Sequence, residues 1–290
     1  MNPTRTSFPR ITVVTPSYNQ GHFLGQTIES ILSQKYPNLE YIIIDGGSND
    51  DSVAIIKRYE SELTFWVSEP DAGQTDAINK GLRRATGEIV TWLNSDDLHF
   101  PETLAKIAGA FGDSPVDVVY GDYALITHGG REFLRRYEIP FDLNIMLYGV
   151  NFIGQPSAFF SRSLLDRFGY LDPSYHYAMD HEFWIRLARG GASFRHIKHC
   201  LSKYRYHAGS KTVDAREKFA AEMQRTREKY GKGGSPLVQK ARSYWARIKR
   251  QLIKLVYRGR IDLLGGSLSR IWYRRVQAGE ERAAASLRDA

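Results

Sequence analysis

Four apolar runs, separated by stretches of helical period, constrain this chain more than any bulk property. "ITVVTPS" (11–17) is short, rich in β-branched residues and stopped by Pro16, so it reads as a buried strand. "LEYIIIDGG" (39–47), "LTFWVSE" (63–69) and the run 89–93 before "NSDD" read likewise. Between them, Phe23, Leu24, Ile28, Ile31 and Leu32 share one side of a helix. "DDSVAIIKRYE" (50–60) puts acids in a first helical turn, where the macrodipole favours them, and "GQTDAINKGLRRATG" (73–87) is a helix pattern ended by Gly87. Strands alternating with helices of this length imply βαβ crossovers, hence an α/β fold with a mostly parallel sheet flanked by helices.

Beyond residue 115 the alternation loosens. "VDVVYGDYALI" (116–126) and "EFLRRYEIP" (132–140) read as strands of a hairpin turning around 128–130, and "QPSAFF" (155–160) as a short strand. "MDHEFWIRLARGG" (179–191) is a helix with Phe183, Trp184 and Leu187 at inward spacing and a glycine stop. "ASFRHI" and "CLSKYRYH" are expected to be two further strands, which makes His196 and His199 structural.

The net charge of +8 is unevenly placed. Residues 236–275 hold eleven Lys or Arg against one acid, Asp262, so residues 1–235 are close to neutral. The expected organisation is therefore a catalytic domain over 1–235 and a basic helical extension over 236–290. One cysteine, Cys200, permits no internal disulfide, and residues 1–10 lack the apolar core of a signal peptide. No window approaches the roughly 20 apolar residues of a membrane span. Together these point to a cytoplasmic address, with any membrane contact made from the surface.

Open parallel sheets bind ligands beyond the carboxyl ends of their strands. Thr15, Asp45 and the pair Asp96–Asp97 all stand where an apolar strand has just ended, so three separated segments deliver polar groups to one sheet edge. Each alone is also explained by the ordinary preference of such residues for turns and caps. Adjacent carboxylates suit Mg²⁺ or Mn²⁺, which bind one or two of them and complete their shells with water and phosphate oxygens. Such an ion bridges a diphosphate and stabilises the charge that develops as it leaves. Activating an acceptor needs a separate base, for which Asp180, at the start of its helix, is a candidate; its bland reading is a first-turn acid.

Other chemistries drop out. The chain has no Gly-x-x-x-x-Gly-Lys-Ser/Thr loop and no Gly-x-Ser-x-Gly elbow, and after His181–Glu182 a zincin helix would need a second histidine where Ile185 stands. Cys200 has no thiol neighbour for a zinc centre.

"TPSYNQGHFLGQTIESILSQKYPNLEYIIIDGGSNDDS", "SEPDAGQTDAINKGLRRATGEIVTWLNSDD", "YGDY" and "MDHEFWIRL", in that order, resemble the family 2 glycosyltransferases, especially the bacterial branch that builds surface polysaccharides. The resemblance covers residues 9–212. It implies a GT-A, Rossmann-like fold and an inverting, metal-dependent transfer of a sugar from a nucleotide diphosphate sugar, usually a UDP-sugar, to a hydroxyl of a glycan or a polyprenyl-diphosphate-linked acceptor. On it, Thr15, Pro16 and Tyr18 form the nucleotide-contacting loop, Asp45 accepts from the uracil ring, and Asn79 and Lys80 line the nucleotide-sugar cleft. Asp96 and Asp97 fall in the metal and ribose motif, with Asp97 as direct metal ligand and Asn94 where an Asp is common. His207 matches a histidine near the diphosphate or metal, and Gln155 a polar position by the sugar. Asp180 matches the catalytic base. The Glu common before it is Met179 here, so Glu182 either substitutes for that neighbour or faces solvent. The Gln-x-x-Arg-Trp signature of processive synthases is missing, which favours addition of one sugar.

In the extension, Leu237, Ala241, Tyr244, Trp245, Ile248, Leu252, Leu255 and Val256 recur at three- and four-residue steps, with Lys240, Arg247, Lys249, Arg250 and Lys254 largely elsewhere. Such basic amphipathic helices lie on anionic membranes. That surface is favoured over packing of the stripe on the catalytic domain, with nucleic acid last; "RIWYRR" (270–275) would extend it. Two functional alternatives stay open: a non-catalytic nucleotide-sugar binder, and a sugar-nucleotide pyrophosphorylase, for which "TPSYNQG" lacks the usual basic pair.

Overall fold

The computed structural model describes residues 8–207 and 215–259. The first half alternates as the apolar runs require: β1 (Ile11–Ser17), α1 (Gly21–Leu32), β2 (Leu39–Asp45), α2 (Ser52–Arg58), β3 (Phe65–Ser68), α3 (Gln74–Arg84) and β4 (Ile89–Trp92). The second half holds β5 (Leu98–His99), α4 (Thr103–Asp113), β6 (Val118–Ile126), β7 (Glu132–Arg136), a π turn at Ile145–Gly149, β8 (Ala158–Ser161), α5 (Ser163–Phe168), α6 (Met179–Arg189), β9 (Phe194–Arg205), α7 (Arg216–Tyr230) and α8 (Pro236–Arg258).

The strands form one sheet in the order β3-β2-β1-β4-β8-β6-β9-β5, with β7 paired to β6. It is parallel from β3 to β4; beyond, β8 runs antiparallel to both neighbours, while β6 and β9 are parallel to each other. Every residue of the central β1 is buried, and the period of two sends Val13 and Ile43 to one face and Val14, Ile42 and Ile44 to the other. The first face is covered by α1, α2 and α4 through Leu24, Ile28, Ile56 and Leu104. The second is covered by α3 and α6, where Trp184 stacks on Trp92 with ring centres 5.9 Å apart.

The two strands expected over 192–207 are one, β9. Opposite Gly121 and Asp122 its register jumps from Ile197 to Cys200, so exposed Lys198 and His199 bulge out, and a second shift from Cys200 to Ser202 precedes the regular ladder. A polar pair that reads as a break is absorbed without ending the strand. His196 is buried, with Nε2 3.0 Å from the Asp122 carboxylate.

Helix α8 docks by its charged side. Arg250 donates to Glu138 at 2.7 Å, Arg258 to Asp122 at 2.6 Å and Lys249 to Asp142, while Lys254, 1% exposed, lies 4.0 Å from Glu138. Ala246 packs beside Gly149 of the π turn. Consequently Leu237, Tyr244, Trp245, Leu252, Leu255 and Val256 face outward, and among the described residues the apolar stripe is not packed on the domain. Residues 260–290, including "RIWYRR", lie outside the described residues.

Candidate active site

At the end of β4 the Leu93 N–H still donates to Val14 O (2.9 Å), and then the chain leaves the sheet. A tight turn, Asp97 N–H to Asn94 O at 3.1 Å, folds the acidic pair back, and Thr27 of α1 holds it through the carbonyls of Ser95 and Asp97. Asp97 turns inward: it is 1% exposed and accepts from the backbone N–H of Arg205 (2.9 Å) and from Asn94 (3.2 Å). Burial, followed by the charge of Asp96, pushes its carboxyl well above the ordinary range despite those bonds. Asp96 keeps its carboxylate partly open, with His207 Nε2 at 3.1 Å. Behind the pair lies the buried guanidinium of Arg205, which donates to Asp96 O (2.8 Å), His128 O (2.6 Å) and Gln26 (2.8 Å) and sits 4.6 Å from the Phe23 ring centre.

A continuous polar rim joins this turn to Asp180. The first residue of α3, Gln74, donates to Asn94 (2.7 Å); Asn94 in turn reaches Gln155 (3.5 Å), which donates to the Trp92 carbonyl (2.6 Å). Four residues before Gln155, Asn151 donates to Asp180 Oδ2 at 2.9 Å, so the segment 151–155 spans from the acidic turn to Asp180. The loop leading into α6 is pinned on α3, with Thr75 donating to Tyr175 O (2.8 Å) and Asn79 bonding the backbone of Leu171 both ways (2.9 and 3.0 Å). Asp180 retains some surface, yet burial pushes its carboxyl up to about 6, against the opposing hydrogen bonds of Asn151 and the backbone. The Asn151 Oδ1 beside it is buried without a hydrogen-bond partner.

At the end of β2 Asp45 is fully buried and accepts from Ser48 N–H (2.9 Å), Ser48 Oγ (2.6 Å) and Ser68 Oγ (2.7 Å). Gly47, at φ +79°, makes the turn that brings Ser48 back to it. Thr15 is buried against the Tyr41 hydroxyl (3.1 Å), and after Pro16 the strand ends with Tyr18 60% exposed. Lys80 is tied to Glu69 (2.9 Å) and edges a cavity of about 340 Å³ walled by Ile44, Val67, Arg83 and Arg84.

Hydrogen bonds thus link Asp96, Asp97, His207 and Gln155 around one turn, and the segment from Gln155 back to Asn151 leads from it to Asp180. Asn79 spends both ends of its amide on Leu171, and Lys80 stands apart with Glu69. Glu182 neither substitutes for the missing neighbour of Asp180 nor faces solvent. Two positions on, it points away from the base and is buried among Arg186 (3.1 Å), Lys229 (3.3 Å) and the Tyr230 hydroxyl (2.6 Å). Arg205, Asn151 and Gln74 were not singled out by the sequence; "YRYH" beside His207 was the only local signal for Arg205. Among the described residues no group of three or more His, Cys, Asp or Glu is arranged to hold a metal ion by itself.

The family model Glycosyl transferase family 2 matches residues 12–178. Two Mycobacterium tuberculosis proteins named uncharacterized glycosyltransferases are 36% identical over 186 residues, covering 63% of this chain and 70% of theirs. A PGL/p-HBAD biosynthesis glycosyltransferase of Mycobacterium bovis is 31% identical over 183 residues, covering 61% of this chain and 69% of its own. In structure the chain is similar to S. aureus TarS in complex with UDP-GlcNAc (TM-score 0.62, 20% identity, 75% of this chain and 65% of that one). It is also similar to the mannosyltransferase PcManGT of Pyrobaculum calidifontis in complex with GDP-Man and Mn²⁺ (TM-score 0.60, 22% identity, 96% of this chain and 81% of that one). Both likenesses share the GT-A architecture of the sheet described above. With more than half of its length matched by that one family model, the chain belongs to glycosyl transferase family 2.

Proposed function

We propose that this protein is an inverting glycosyltransferase that moves one sugar from a UDP-sugar to a hydroxyl of a glycan or polyprenyl-diphosphate-linked acceptor in cell-surface polysaccharide synthesis. The observation that carries the reading is the hydrogen-bonded rim from Asp97 through Asn94 and Gln155 to the segment whose Asn151 holds Asp180. It ties the segment that holds a carboxylate with a raised pKa to the acidic turn of a family 2 fold. The PGL/p-HBAD relative and the nucleotide-sugar complexes of the structural neighbours support the substrate class.

Asp180 takes the proton of the acceptor hydroxyl as its oxygen forms a bond to the anomeric carbon, and the carbon–oxygen bond to the diphosphate breaks on the opposite face, inverting the centre. Burial suits the group to this task, because a carboxylate held near 6 is ionised at neutral pH yet more basic than a solvated one. Asn151 orients it through the hydrogen bond from its amide N–H. Asp45 would accept from a ring N–H of the donor base in the one of roughly four acceptor directions that its three partners leave, a contact that requires the 46–48 turn covering the buried carboxylate to shift on binding. Thr15, Pro16 and Tyr18 shape that end of the cleft, and Gln155 the sugar end.

Asp96 and Asp97 would offer Mn²⁺ or Mg²⁺ the one or two carboxylates a hard cation takes, with His207 beside Asp96 and the rest of the shell left to water and phosphate oxygens, because the described residues do not form a three-ligand cage by themselves. The buried, mutually repelling pair is also the electrostatic situation a divalent cation relieves. When bound, the ion neutralises charge on the departing diphosphate.

An anionic membrane surface, at the inner face of the cell membrane, is the proposed partner of α8. No helix among the described residues is long and apolar enough to cross a membrane. The outward face of α8 is apolar and aromatic while most of its basic groups are spent on domain acids, which favours lipid over a nucleic-acid backbone.

The test is nucleotide release with and without acceptor, after a binding screen of UDP-, GDP- and dTDP-sugars with Mn²⁺. Uridine preference with a metal requirement is expected, and Asp180→Asn should lose about 10²–10⁴-fold in kcat while still binding donor. An Asp180→Asn protein as active as wild type removes the assigned base, and equal binding of all three nucleotides removes the role of Asp45.

A further inference from the structure

Asp180 is the second residue of α6, so its direction is set by the loop that feeds the helix. The residue at the N-cap position, Ala178, has no side chain able to accept from the first turn, and no side-chain cap is present. Instead three consecutive backbone N–H groups, those of His176, Tyr177 and Ala178, converge on the carboxylate of Glu222 in α7, at 2.8, 2.9 and 2.8 Å. A negative group at this end of a helix is also favoured by the helix dipole. The bond crosses 44 residues of sequence, so the clamp exists only because α7 lies against the loop. Around it Thr226 donates to the Tyr175 hydroxyl (3.2 Å), and the Arg225 guanidinium lies 4.1 Å from the Tyr175 ring centre while bonding Ser174.

We propose that Glu222 is the positioning residue of the catalytic base: by gathering the three N–H groups ahead of α6 it fixes the direction in which Asp180 meets the acceptor hydroxyl. The inference rests on the reading of Asp180 as the base. It makes α7 part of the catalytic apparatus although no group on it need touch substrate. A charge-assisted clamp of this kind holds the N–H groups at and ahead of the N-cap with one carboxylate delivered from outside the helix.

The experiment exploits the shape of the clamp, since deleting the carboxylate leaves three converging donors that a small anion can fill. Glu222→Ala should lower kcat about 10²-fold, the scale of a displaced catalytic group, with donor KM little changed. Sodium formate should restore activity by roughly tenfold or more, and neutral formamide should not. Wild-type activity in Glu222→Ala, or a folded variant that formate does not restore, overturns the proposal. If Glu222→Ala does not fold, Glu222→Gln is read by amide exchange, because its NH₂ group meets backbone N–H donors. Amides 176–178 should then exchange about tenfold faster or more, and unchanged rates overturn the clamp. An active Asp180→Asn variant would remove the base itself, whatever the exchange shows. An inactive Asp180→Asn beside a fully active Glu222→Ala overturns the present inference alone.

Discussion

A base must be ionised to work, so its rate falls as pH drops through its pKa. Burial pushes Asp180 up to about 6, and kcat/KM is expected to fall on the acid side with a midpoint near that value. Asn151 holds the carboxyl down through its hydrogen bond, so Asn151→Ala should move the midpoint to higher pH. A pH–rate profile that stays in place would show that Asn151 does not touch the ionised base. The same shift has a stability sign. The folded pKa lies above the unfolded one, so the folded state carries a cost when both states are ionised and none when both are protonated. Asp180→Asn should therefore be more stable than wild type at pH 8, by about 1–3 kcal/mol, with the difference gone below about pH 4. Urea unfolding at the two pH values measures it. Gain of stability with loss of activity is the signature of a group kept for chemistry.

At the scale of elements, α8 inverts the usual arrangement of an amphipathic helix: acids of the domain, Asp122, Glu138 and Asp142, take its basic side, so burial of the apolar side is not what docks it. Charged groups this buried tolerate loss of a partner badly. Glu138→Ala removes the acceptor of Arg250 and the nearest carboxylate to Lys254, and should weaken docking by about 3–5 kcal/mol. The expected readout is faster amide exchange along residues 236–258 with the sheet unaffected. Equal exchange would mean that the Ala246 contact suffices to hold the helix. Helix α7 obeys the same logic, since its polar residues, Glu222, Thr226 and Lys229 among them, make its contacts. Its sequence accordingly shows little apolar period.

For the molecule as a whole, an exposed aromatic and aliphatic stripe runs from Leu237 to Val256, about 28 Å at 1.5 Å per residue, and is the surface proposed to meet a bilayer. The protein is expected to co-sediment with vesicles containing phosphatidylglycerol, more than with phosphatidylcholine alone, and Trp245 fluorescence should shift to the blue. Trp245→Glu with Leu252→Glu should abolish the binding while leaving transfer to a soluble acceptor intact. Vesicle binding that survives this pair would assign the contact to another surface. A concentration-dependent dimer lost in the pair would assign the stripe to a second copy.

The sequence by itself determined the alternating α/β order, the buried central strands and the two carboxylate stations at their ends, Asp45 and Asp96–Asp97, because apolar period and strand-terminal polarity are local properties. It also determined the stripe of α8. Only the tertiary structure decided which way that stripe faces, that Glu182 turns from Asp180 to Arg186, and that residues 194–205 are one strand carrying a bulge. The same holds for the partners of the site: Arg205 meets Asp97 across 108 residues, Asn151 meets Asp180 across 29, and Glu222 meets Ala178 across 44. Period and propensity are written in neighbouring residues, whereas the direction of a side chain is fixed by whatever the folded chain brings against it.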